Sequence, residues 1–403
     1  MNYLLLGLGK SNISVKNYFD QEKITYFEFD DKYANNDIDF DRISTIIKSP
    51  GISIKHPYLS MNKNIITDLE LFYRFSPNKN FITVTGSNGK TTTVNLLKHL
   101  LPDLDLGGNV GTALFDFIKS KNDIIIEASS FMLEYTKYFR SKYSVILNLY
   151  KTHLEHHFTY SNYIKSKLNL IKNACVDDYL IYNYDDVLLR RLAESFVGVK
   201  VPFSKTKKIG VHLSGNDIIY QGKKIYNLDN IKLIGDHNYD NILAAVAVVI
   251  SYGREIEGIE TFSAVEYRLE YLGDYNKIKI YNDSKSTNFQ ALNSAINSFE
   301  NDKITLIGGG KYHKDSRYPF SGYDNIKRVY LFGENIQEMK DIFSTFTNEI
   351  YLFDNLDKVM ENLNLDDTDI LLFSPGSVSY DQYRSFEERG SYFNKLVKQY
   401  FKI

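Results

Sequence analysis

The segment FITVTGSNGKTTT, residues 81–93, constrains the fold of this chain more than any other. Its apolar run FITVT predicts a buried strand, and the small residues after it lead into a helix predicted to start near Lys90. A strand–loop–helix unit of this kind directs backbone N–H groups and the positive end of a helix dipole at a phosphate. The common P-loop pattern G-x-x-x-x-G-K-[ST] is not met, because Val84 stands at its first glycine. The segment therefore predicts an α/β domain with a phosphate loop of an uncommon kind.

The residue types of this loop suit a nucleoside triphosphate. Lys90 would reach the β- and γ-phosphates, and the hydroxyl of Thr91 would coordinate Mg²⁺. A tight glycine turn without a ligand is the alternative, but the threonines after Lys90 favour a nucleotide. The residues that we expect to bind it are Gly86, Ser87, Asn88, Gly89, Lys90, Thr91 and Thr92.

The composition is that of an ordinary globular protein and excludes several function classes. The chain has 403 residues, is 43% hydrophobic and carries a formal net charge of −2, which argues against a general nucleic-acid binder. Its single cysteine, Cys175, excludes an internal disulfide and an all-cysteine metal site. The longest apolar run, 242–250, is shorter than the about 20 residues that cross a bilayer. The start MNYLLLGLGK predicts a first strand, not a secretion signal, so we expect a cytoplasmic protein without a membrane partner.

Apolar runs alternate with helix-like patterns in three blocks, which predicts parallel α/β units throughout. Residues 1–79 contain the predicted strands NYLLLGLG, ITYFEFDD and STIIKSPGI and the helix KSNISVKNYFDQ. Residues 80–264 contain FITVTG, NDIIIEASS and YSVILNLY, then the helix DHNYDNILAAVAVVISYG. Residues 265–403 contain the strands KIKIYNDS, KITLIGGG, RVYLFGE, EIYLFD and DILLFSPGS and the final helix EERGSYFNKLVKQYF.

Two polar side chains follow neighbouring predicted strands of the second block. Glu127 ends the strand DIIIE, and His153 follows the strand SVILN. Because ligands of open α/β sheets bind at the carboxyl ends of the strands, both residues are expected at the edge that carries the phosphate loop. A carboxylate and an imidazole beside phosphates suit a divalent cation. The alternatives are a surface acid at a strand end and a loop histidine in a histidine-rich stretch.

The loop TGSNGKTTT resembles the ATP loop of the Mur ligases and the folylpolyglutamate synthetases, which are ATP-dependent amide ligases. Further segments, in order along the whole chain, resemble the Mur ligases that add D-glutamate to UDP-N-acetylmuramoyl-L-alanine. These segments are LLLGLGKS at 4–11, GGNVG at 107–111, EASSFMLE at 127–134, NDSKSTN at 282–288 and SPGSVSYDQYRSFEERG at 374–390. Folylpolyglutamate synthetases lack the N-terminal block, and the Asp-Asn-Pro-Arg motif of the diaminopimelate- or lysine-adding relative is absent.

The resemblance implies a three-domain α/β architecture. A Rossmann-like N-terminal domain, residues 1–79, would bind the UDP-substrate. A P-loop ATPase-like central domain, residues 80–264, would bind ATP. A Rossmann-like C-terminal domain, residues 265–403, would bind the amino acid.

The resemblance also implies catalytic and metal-binding residues. HLEHHFTYSNYIKSK resembles a family segment whose lysine, fourteen residues after its histidine, is carbamylated by CO₂; that lysine is Lys167. The residues alone would make Lys167 a solvated helix lysine. The implied catalytic residues are Lys90, His153 and Lys167, and the implied ligands of two Mg²⁺ ions are Thr91, Glu127, His153 and Lys167. The family usually has an aspartate before this histidine, and here it is Thr152.

The matched motifs imply substrate-binding residues as well. For the UDP-substrate they are Gly9, Lys10, Ser11, Asp30, Ser49, Gly51 and Asn109. For ATP they add Asn238 and Asn241 on the adenine side and Arg268 and Asp283 near the phosphates and ribose. For D-glutamate they are Lys285, Thr287, Lys311, Ser379, Tyr380 and Phe386. Turns, helix caps, a surface ion pair for Arg268 with Asp283, a core position for Phe386, and Lys314 in place of Lys311 are the alternatives.

The implied activity is formation of an amide through an acyl phosphate, by a monomer, in peptidoglycan precursor synthesis. A ligase of the same group that adds another amino acid, or one that resembles folylpolyglutamate synthetase, is the nearest alternative. A non-catalytic nucleotide-binding protein is the alternative from a different class.

Overall fold

The computed structural model describes residues 2–31, 38–61, 63–76, 78–229, 231, 236–262, 266–299, 302–311 and 325–403. These residues form three β-sheets that follow one another along the chain. One compact unit contains the first two sheets and ends at Phe262, and a second unit contains the third sheet. In the described part of the chain, no helix is both long and apolar enough to cross a membrane. The predicted α/β class is confirmed, and the domain limits 1–79, 80–264 and 265–403 stay predictions.

The first sheet has four parallel strands among the described residues, in the order β2–β1–β3–β4. Its elements, with two short 3₁₀ helices, are β1 (Asn2–Leu6), α1 (Lys10–Gln21), β2 (Tyr26–Phe29), Phe40–Arg42, β3 (Ile43–Lys48), Pro57–Ser60, β4 (Asn64–Ile66) and α2 (Asp68–Phe75). The three predicted strands and the predicted helix are present, whereas β4 and α2 were not predicted. The carboxyl ends of β1, β2 and β3 meet at one edge because the strands are parallel.

The second sheet has nine strands in the described ranges, in the order β13–β12–β11–β10–β9–β8–β5–β7–β6. Its strands are β5 (Phe81–Thr85), β6 (Asp105–Gly108), β7 (Ile124–Glu127), β8 (Tyr143–Ile146), β9 (Tyr179–Asn183), β10 (Val199–Ser204), β11 (Val211–Ser214), β12 (Asp217–Tyr220) and β13 (Lys223–Asn227). Its helices are α3 (Lys90–Leu100), α4 (Ser130–Leu133), α5 (Leu154–His157), α6 (Tyr160–Leu168), α7 (Val187–Glu194) and α8 (Asp236–Ser251), with 3₁₀ turns at Leu114–Phe117 and Ile259–Thr261. The pairs β11–β12 and β12–β13 are antiparallel, and the other pairs are parallel.

The position of the phosphate loop follows from the centre of this sheet. Strand β5 lies between β7 and β8, with Val84 paired to Glu127 and Thr85 paired to Ile146. All three strands are buried along their whole length, as their continuous apolar sequences predict. The loops that follow β5, β7 and β8 therefore leave the sheet side by side.

The third sheet has six strands in the part of the chain that is described, in the order β14–β15–β19–β16–β17–β18. Only the β14–β15 pair is antiparallel there. Its elements are β14 (Glu270–Tyr275), β15 (Ile278–Asn282), α9 (Phe289–Asn297), β16 (Ile304–Gly309), β17 (Ile326–Phe332), α10 (Ile336–Phe343), β18 (Ile350–Phe353), α11 (Leu356–Glu361), β19 (Ile370–Phe373) and α12 (Phe386–Phe401). The five predicted strands and the final helix are present. Because Asn282 pairs with Phe373, the segments NDSKSTN and SPGSVSY leave the sheet next to each other.

Candidate functional site

The loop between β5 and α3 needs glycine at its end. Gly89 has a left-handed φ of +84°, and a Cβ there would lie 2.2 Å from Oδ1 of Asn241. After it, the first turn of α3 presents backbone N–H groups that a helix cannot satisfy internally. The side chain of Lys90 folds back over the loop, where its Nζ donates to the carbonyls of Gly86 and Ser87, both at 2.8 Å. The loop thus carries a cation and helix N–H groups, which together suit a phosphate.

Asn148 and Tyr163, to which no sequence motif pointed, brace this loop. Asn148, just after β8, accepts from the N–H of Ser87 at 3.0 Å through its carbonyl and from the N–H of Asn88 at 2.9 Å through its side chain. The hydroxyl of Tyr163 lies 2.7 Å from Oγ of Ser87. The sequence could have pointed to Asn148, because it is a polar residue at the end of an apolar run. Tyr163 carried no signal of its own, because a tyrosine on a helix is usually part of the core.

Lys167 is buried beside the loop, not solvated. Its side chain enters from α6, is 2% exposed, and donates to Oγ1 of Thr85 at 3.1 Å and to the carbonyl of Gly86 at 2.9 Å. Burial and the positive charge of Lys90 hold the pKa of Lys167 well below its usual range, and Glu127 opposes that shift. The interpretation of Lys167 as a solvated helix lysine is therefore wrong.

Glu127 is buried at the end of β7, with one carboxylate oxygen satisfied and the other not. Oε1 accepts from Nδ2 of Asn109 at 2.8 Å. Oε2 is buried without a hydrogen-bond partner among the described residues. An unsatisfied buried carboxylate oxygen is costly, and a bound cation would remove that cost. Asn109, which was assigned to the UDP-substrate, holds this carboxylate in place.

His153 lies at the start of α5 with a left-handed φ of 54° and an exposed side chain. Its ring centroid is 5.1 Å from that of Phe131 and 6.4 Å from that of Tyr163. The Nζ of Lys167 lies 5.0 Å from the centroid of the same Tyr163 ring. Tyr163 is thus the shared neighbour of His153, Lys167 and the phosphate loop. Thr152 is only partly buried.

The two predicted adenine-side asparagines contact each other next to the loop. Nδ2 of Asn241 donates to Oδ1 of Asn238 at 2.9 Å, and both side chains are buried. Oδ1 of Asn241 lies 3.4 Å from the hydroxyl of Thr93 on α3. Both lie inside α8, whose first residue is Asp236, so neither is its capping residue.

The predicted UDP residues gather at the carboxyl edge of the first sheet, with Asn109 as the exception. Oδ2 of Asp30 accepts from the N–H of Leu8 at 2.6 Å. A Cβ at Gly9 would lie 3.1 Å from Oγ of Ser49, and one at Gly51 would meet open space. Two further residues reach neighbouring segments: Lys10 donates to the carbonyl of Gly111, and Ser11 hydrogen-bonds the carboxyl of Asp68.

Arg268 and Asp283 lie together in the second unit. The carboxylate of Asp283 accepts from the N–H of Leu269 at 3.2 Å and from the hydroxyl of Ser374 at 2.8 Å. Burial raises the pKa of Asp283 to about 6, and the charge of Arg268 opposes that shift. Because Asp283 is only 5% exposed, the surface ion pair that was the alternative here is wrong.

Arg389 joins the segments NDSKSTN and SPGSVSY, the two loops that follow β15 and β19, and no sequence motif pointed to this role. It is fully buried on α12. Its Nε and Nη2 donate to the hydroxyl and carbonyl of Ser284 at 3.1 and 2.8 Å, and its Nη1 donates to the carbonyl of Ser377 at 2.9 Å. A fully buried arginine is rare without polar partners. Nothing in the sequence indicated this burial, because the charged run SFEERG is typical of an exposed segment.

The predicted D-glutamate residues lie on or near those two loops. The N–H of Lys311 donates to the carbonyl of Val378 at 2.8 Å, which places it beside Ser379. Nζ of Lys285 lies 5.5 Å from the ring centroid of Phe386. Phe386 is only partly buried, so it is not a core residue, and Tyr380 is exposed. The structure leaves Thr287 partly exposed, and Lys314 lies outside the described residues.

Residues 84–249 match the family model of the Mur ligase middle domain. Curated relatives match nearly the whole chain. A UDP-N-acetylmuramoylalanine–D-glutamate ligase of Caldicellulosiruptor bescii is 33% identical over 99% of this chain and 97% of its own length. A protein of the same name from Hydrogenobaculum sp. is 35% identical over 100% of both chains. A third, from Geobacillus sp., is 36% identical over 86% of this chain and 82% of its own.

Solved structures match the fold. The UDP-N-acetylmuramate–alanine ligase MurC of Thermotoga maritima aligns with a TM-score of 0.64 at 18% identity, over 99% of both chains. The MurF ligase of Thermotoga maritima, solved in complex with ADP, aligns with a TM-score of 0.63 at 16% identity, over 99% of this chain and 95% of its own. These two likenesses support the three-domain architecture, and the identity and coverage of the curated relatives show that the chain belongs to the Mur ligase family, in the branch of the UDP-N-acetylmuramoylalanine–D-glutamate ligases.

Proposed function

We propose that this chain is an ATP-dependent, ADP-forming ligase that adds D-glutamate to UDP-N-acetylmuramoyl-L-alanine in peptidoglycan precursor synthesis. The names and coverage of its relatives support the substrates. The observation that carries the chemistry is the convergence of Lys90, Glu127 and Lys167 at the loop that precedes α3. Two amines and one carboxylate with an unpaired oxygen, placed beside helix N–H groups, form a site for phosphates and a cation.

The reaction joins a carboxylate, which is a poor electrophile, to an amine. A carboxylate oxygen of the UDP-substrate attacks the γ-phosphorus of ATP, the bond to the β-phosphate oxygen breaks, and ADP leaves. The nitrogen of D-glutamate then attacks the carbonyl carbon of the acyl phosphate, phosphate leaves with the bonding electrons, and the nitrogen loses a proton. When ATP binds, Nζ of Lys90 would give up its hydrogen bonds to the carbonyls of Gly86 and Ser87 and donate to phosphate oxygens instead. Its positive charge would offset the negative charge of the phosphoryl group during transfer.

The residues at the phosphate loop fit Mg²⁺. The orphan Oε2 of Glu127 is a hard oxygen donor, and the hydroxyl of Thr91, on the first turn of α3, is another. With His153 they would hold the two expected ions, which when bound supply positive charge that stabilises the transferred phosphoryl group. Asn109 would orient Glu127 toward them through its 2.8 Å hydrogen bond.

Lys167 fits carbamylation for a chemical reason. Only a neutral amine attacks CO₂, and burial together with Lys90 favours the neutral form of Lys167. In the reaction its nitrogen bonds to the carbon of CO₂ and loses a proton, which leaves an anion. The product would attract the charge of Lys90 where the ammonium form repels it, and its remaining N–H would still donate to the carbonyl of Gly86.

The proposed sites for the UDP group and the amino acid lie at the carboxyl ends of strands in the first and third sheets. The carboxyl edge of the first sheet would bind the UDP group, with Asp30 and Ser49 as its polar side chains. The loops that Arg389 holds would bind the amino acid, with Lys285 and Lys311 as the cations for its carboxylates. Arg268 and Asp283, in the same unit, would serve ATP, and Asn238 and Asn241 would serve its base.

The test is release of phosphate from ATP with UDP-N-acetylmuramoyl-L-alanine, Mg²⁺ and D-glutamate. We expect release that requires all four, and little release when another amino acid replaces D-glutamate. Release with a different amino acid would move the chain to another member of the family. Tight ATP binding without substrate-dependent release would favour a nucleotide sensor. The variant Lys90→Ala should abolish turnover, and Lys98→Ala, on the same helix outside the loop, should not.

A further inference from the structure

A second group of metal-binding side chains lies in the first unit, apart from the Glu127 site. Glu134 follows α4, and His156 and His157 end α5. Nε2 of His156 lies 2.8 Å from Oε2 of Glu134, and Nδ1 of His157 lies 3.8 Å from Oε1. One ligand atom from each of the three residues falls within 4.8 Å of the others. Ligand atoms of a tetrahedral zinc site lie about 3.4 Å apart, so small side-chain shifts bring all three into range.

Both ring nitrogens of His157 lie near polar atoms of the first unit. Its Nε2 lies 2.9 Å from Oγ of Ser130. Its Nδ1 lies 3.8 Å from Oε1 of Glu134 and 3.4 Å from Oγ of Ser166. A metal ion at Nδ1 would require the ring proton on Nε2, where Oγ of Ser130 is placed to accept its hydrogen bond.

The three side chains open into a cavity. Its volume is about 240 Å³, and its lining includes Ile54, Phe158 and Lys165 in addition to the cluster. Three protein ligands beside an open space leave a fourth position for water or a small anion. Lys165 would favour an anion at that position, because its positive charge attracts an anion and repels a bare cation.

We propose that Glu134, His156 and His157 form a binding site for a divalent transition-metal ion of the zinc type. Two imidazoles and one carboxylate select zinc, cobalt or nickel over magnesium, which prefers oxygen donors. The ion would link the end of α4 to α5. Because His153 directly precedes α5, occupancy would also stiffen the helix next to the proposed magnesium ligand.

The neighbouring His153 must be distinguished from the new site. Phe131 contacts all three histidines, with its ring centroid 5.1 Å from His153, 4.5 Å from His156 and 5.6 Å from His157. A metal ion bound near this ring could therefore belong to either group. Variants of His153 and His156 separate them, because His156 supplies the ring nitrogen that lies 2.8 Å from Glu134.

The experiment is a Co²⁺ titration of the full chain, stripped with a chelator and held in excess Mg²⁺ and ADP. We expect one Co²⁺ per chain with the strong visible absorption of a four-coordinate site, displacement by Zn²⁺, and a higher Tm with Zn²⁺. His156→Ala should weaken Co²⁺ binding at least tenfold and remove the Zn²⁺ effect on Tm, and Glu134→Gln should do the same. His153→Ala should leave both unchanged. Absence of Co²⁺ absorption in the wild type, wild-type affinity in a folded His156→Ala variant, or loss in His153→Ala instead would overturn the proposal.

Discussion

The Nζ of Lys167 lies 2.9 Å from the carbonyl oxygen of Gly86, inside the loop that precedes α3. A fully buried amine beside a second lysine is unstable as a cation, because burial removes its hydration and Lys90 repels it. The loop therefore favours the neutral form of Lys167, which the proposed carbamylation requires. This contact joins helix α6 to the phosphate loop. It places Lys167, which is far from the loop in the sequence, beside it in the structure.

Replacement of Lys167 by alanine should lower turnover by about 100-fold, the scale at which a preorganised charge acts in catalysis. If the missing group is a carbamate, formate or acetate should restore part of the rate by filling the space with an anion. The measurement is phosphate release across a series of carboxylate concentrations. Lys172→Ala, an exposed lysine just beyond α6, is the control and should behave as wild type. A folded Lys167→Ala variant that no carboxylate rescues would speak against the carbamate.

Replacement of Asn109 by alanine tests which partner this residue serves. Its 2.8 Å hydrogen bond to Glu127 makes it a positioning residue for that proposed metal ligand. We expect the Mg²⁺ concentration for half-maximal rate to rise about tenfold, in the range typical of lost partners of metal ligands. The KM for the UDP-substrate should change little. An increase in that KM alone, with an unchanged Mg²⁺ dependence, would return Asn109 to the role that the family resemblance implied.

Most of the central architecture could be predicted because buried parallel strands are continuous apolar runs. FITVT, DIIIE and the strand before Asn148 all match such runs. The hairpin β11–β12–β13 could not be predicted in the same way. Its short strands VHLS, DIIY and KKIYN mix polar and apolar residues without a common period, and its turns depend on Gly215 and Gly222 with φ of +60° and +75°. Such turns are local, whereas the apolar periodicity that predicts an element needs a longer window.

The site was predictable only in part, for a related reason. Glu127 could be placed from strand order, since parallel strands end at one edge. The burial of Lys167 and the role of Arg389 depend on which face of a helix meets the sheet, and each lies among charged neighbours. A family resemblance supplied Lys167. Arg389 became apparent only from its three hydrogen bonds to Ser284 and Ser377.

Arg389→Lys should weaken the amino-acid site more than the nucleotide site. A lysine cannot make the forked set of hydrogen bonds that joins the carbonyls of Ser284 and Ser377. We expect the KM for D-glutamate to rise at least tenfold while ATP binding to the first unit is retained, together with a lower Tm. Steady-state kinetics in D-glutamate and a thermal melt measure both. Equal KM values for variant and wild type would mean that the loops hold their shape without this side chain.

The buried carboxyl of Asp283 should make stability depend on pH. Its pKa is raised from 3.8 to about 6, so between those values the folded chain holds a proton that the unfolded chain has lost. Its stabilising contribution is therefore complete below about pH 4 and is lost as the pH rises through 6, by up to about 3 kcal/mol. The Tm of Asp283→Asn minus the Tm of the wild type should increase as the pH rises from 4.5 to 7.5. Asp274→Asn, an exposed aspartate of β14, should show no such trend. A Tm difference that stays constant across this range would mean that Asp283 ionises normally.

Gly89→Ala should disrupt the phosphate loop through two separable effects. The residue has φ of +84°, which costs an alanine roughly 1–2 kcal/mol, and its Cβ would lie 2.2 Å from Oδ1 of Asn241. Gly215→Ala is the matched control, because φ there is +60° and the space around the new Cβ is open. Both variants should lose a similar amount of stability from the backbone, but only Gly89→Ala should lose ATP binding, by at least tenfold. Calorimetric ATP titration and thermal melts of both variants measure this. If Gly89→Ala bound ATP as Gly215→Ala does, the close approach of Asn241 to the loop would have no part in the nucleotide site.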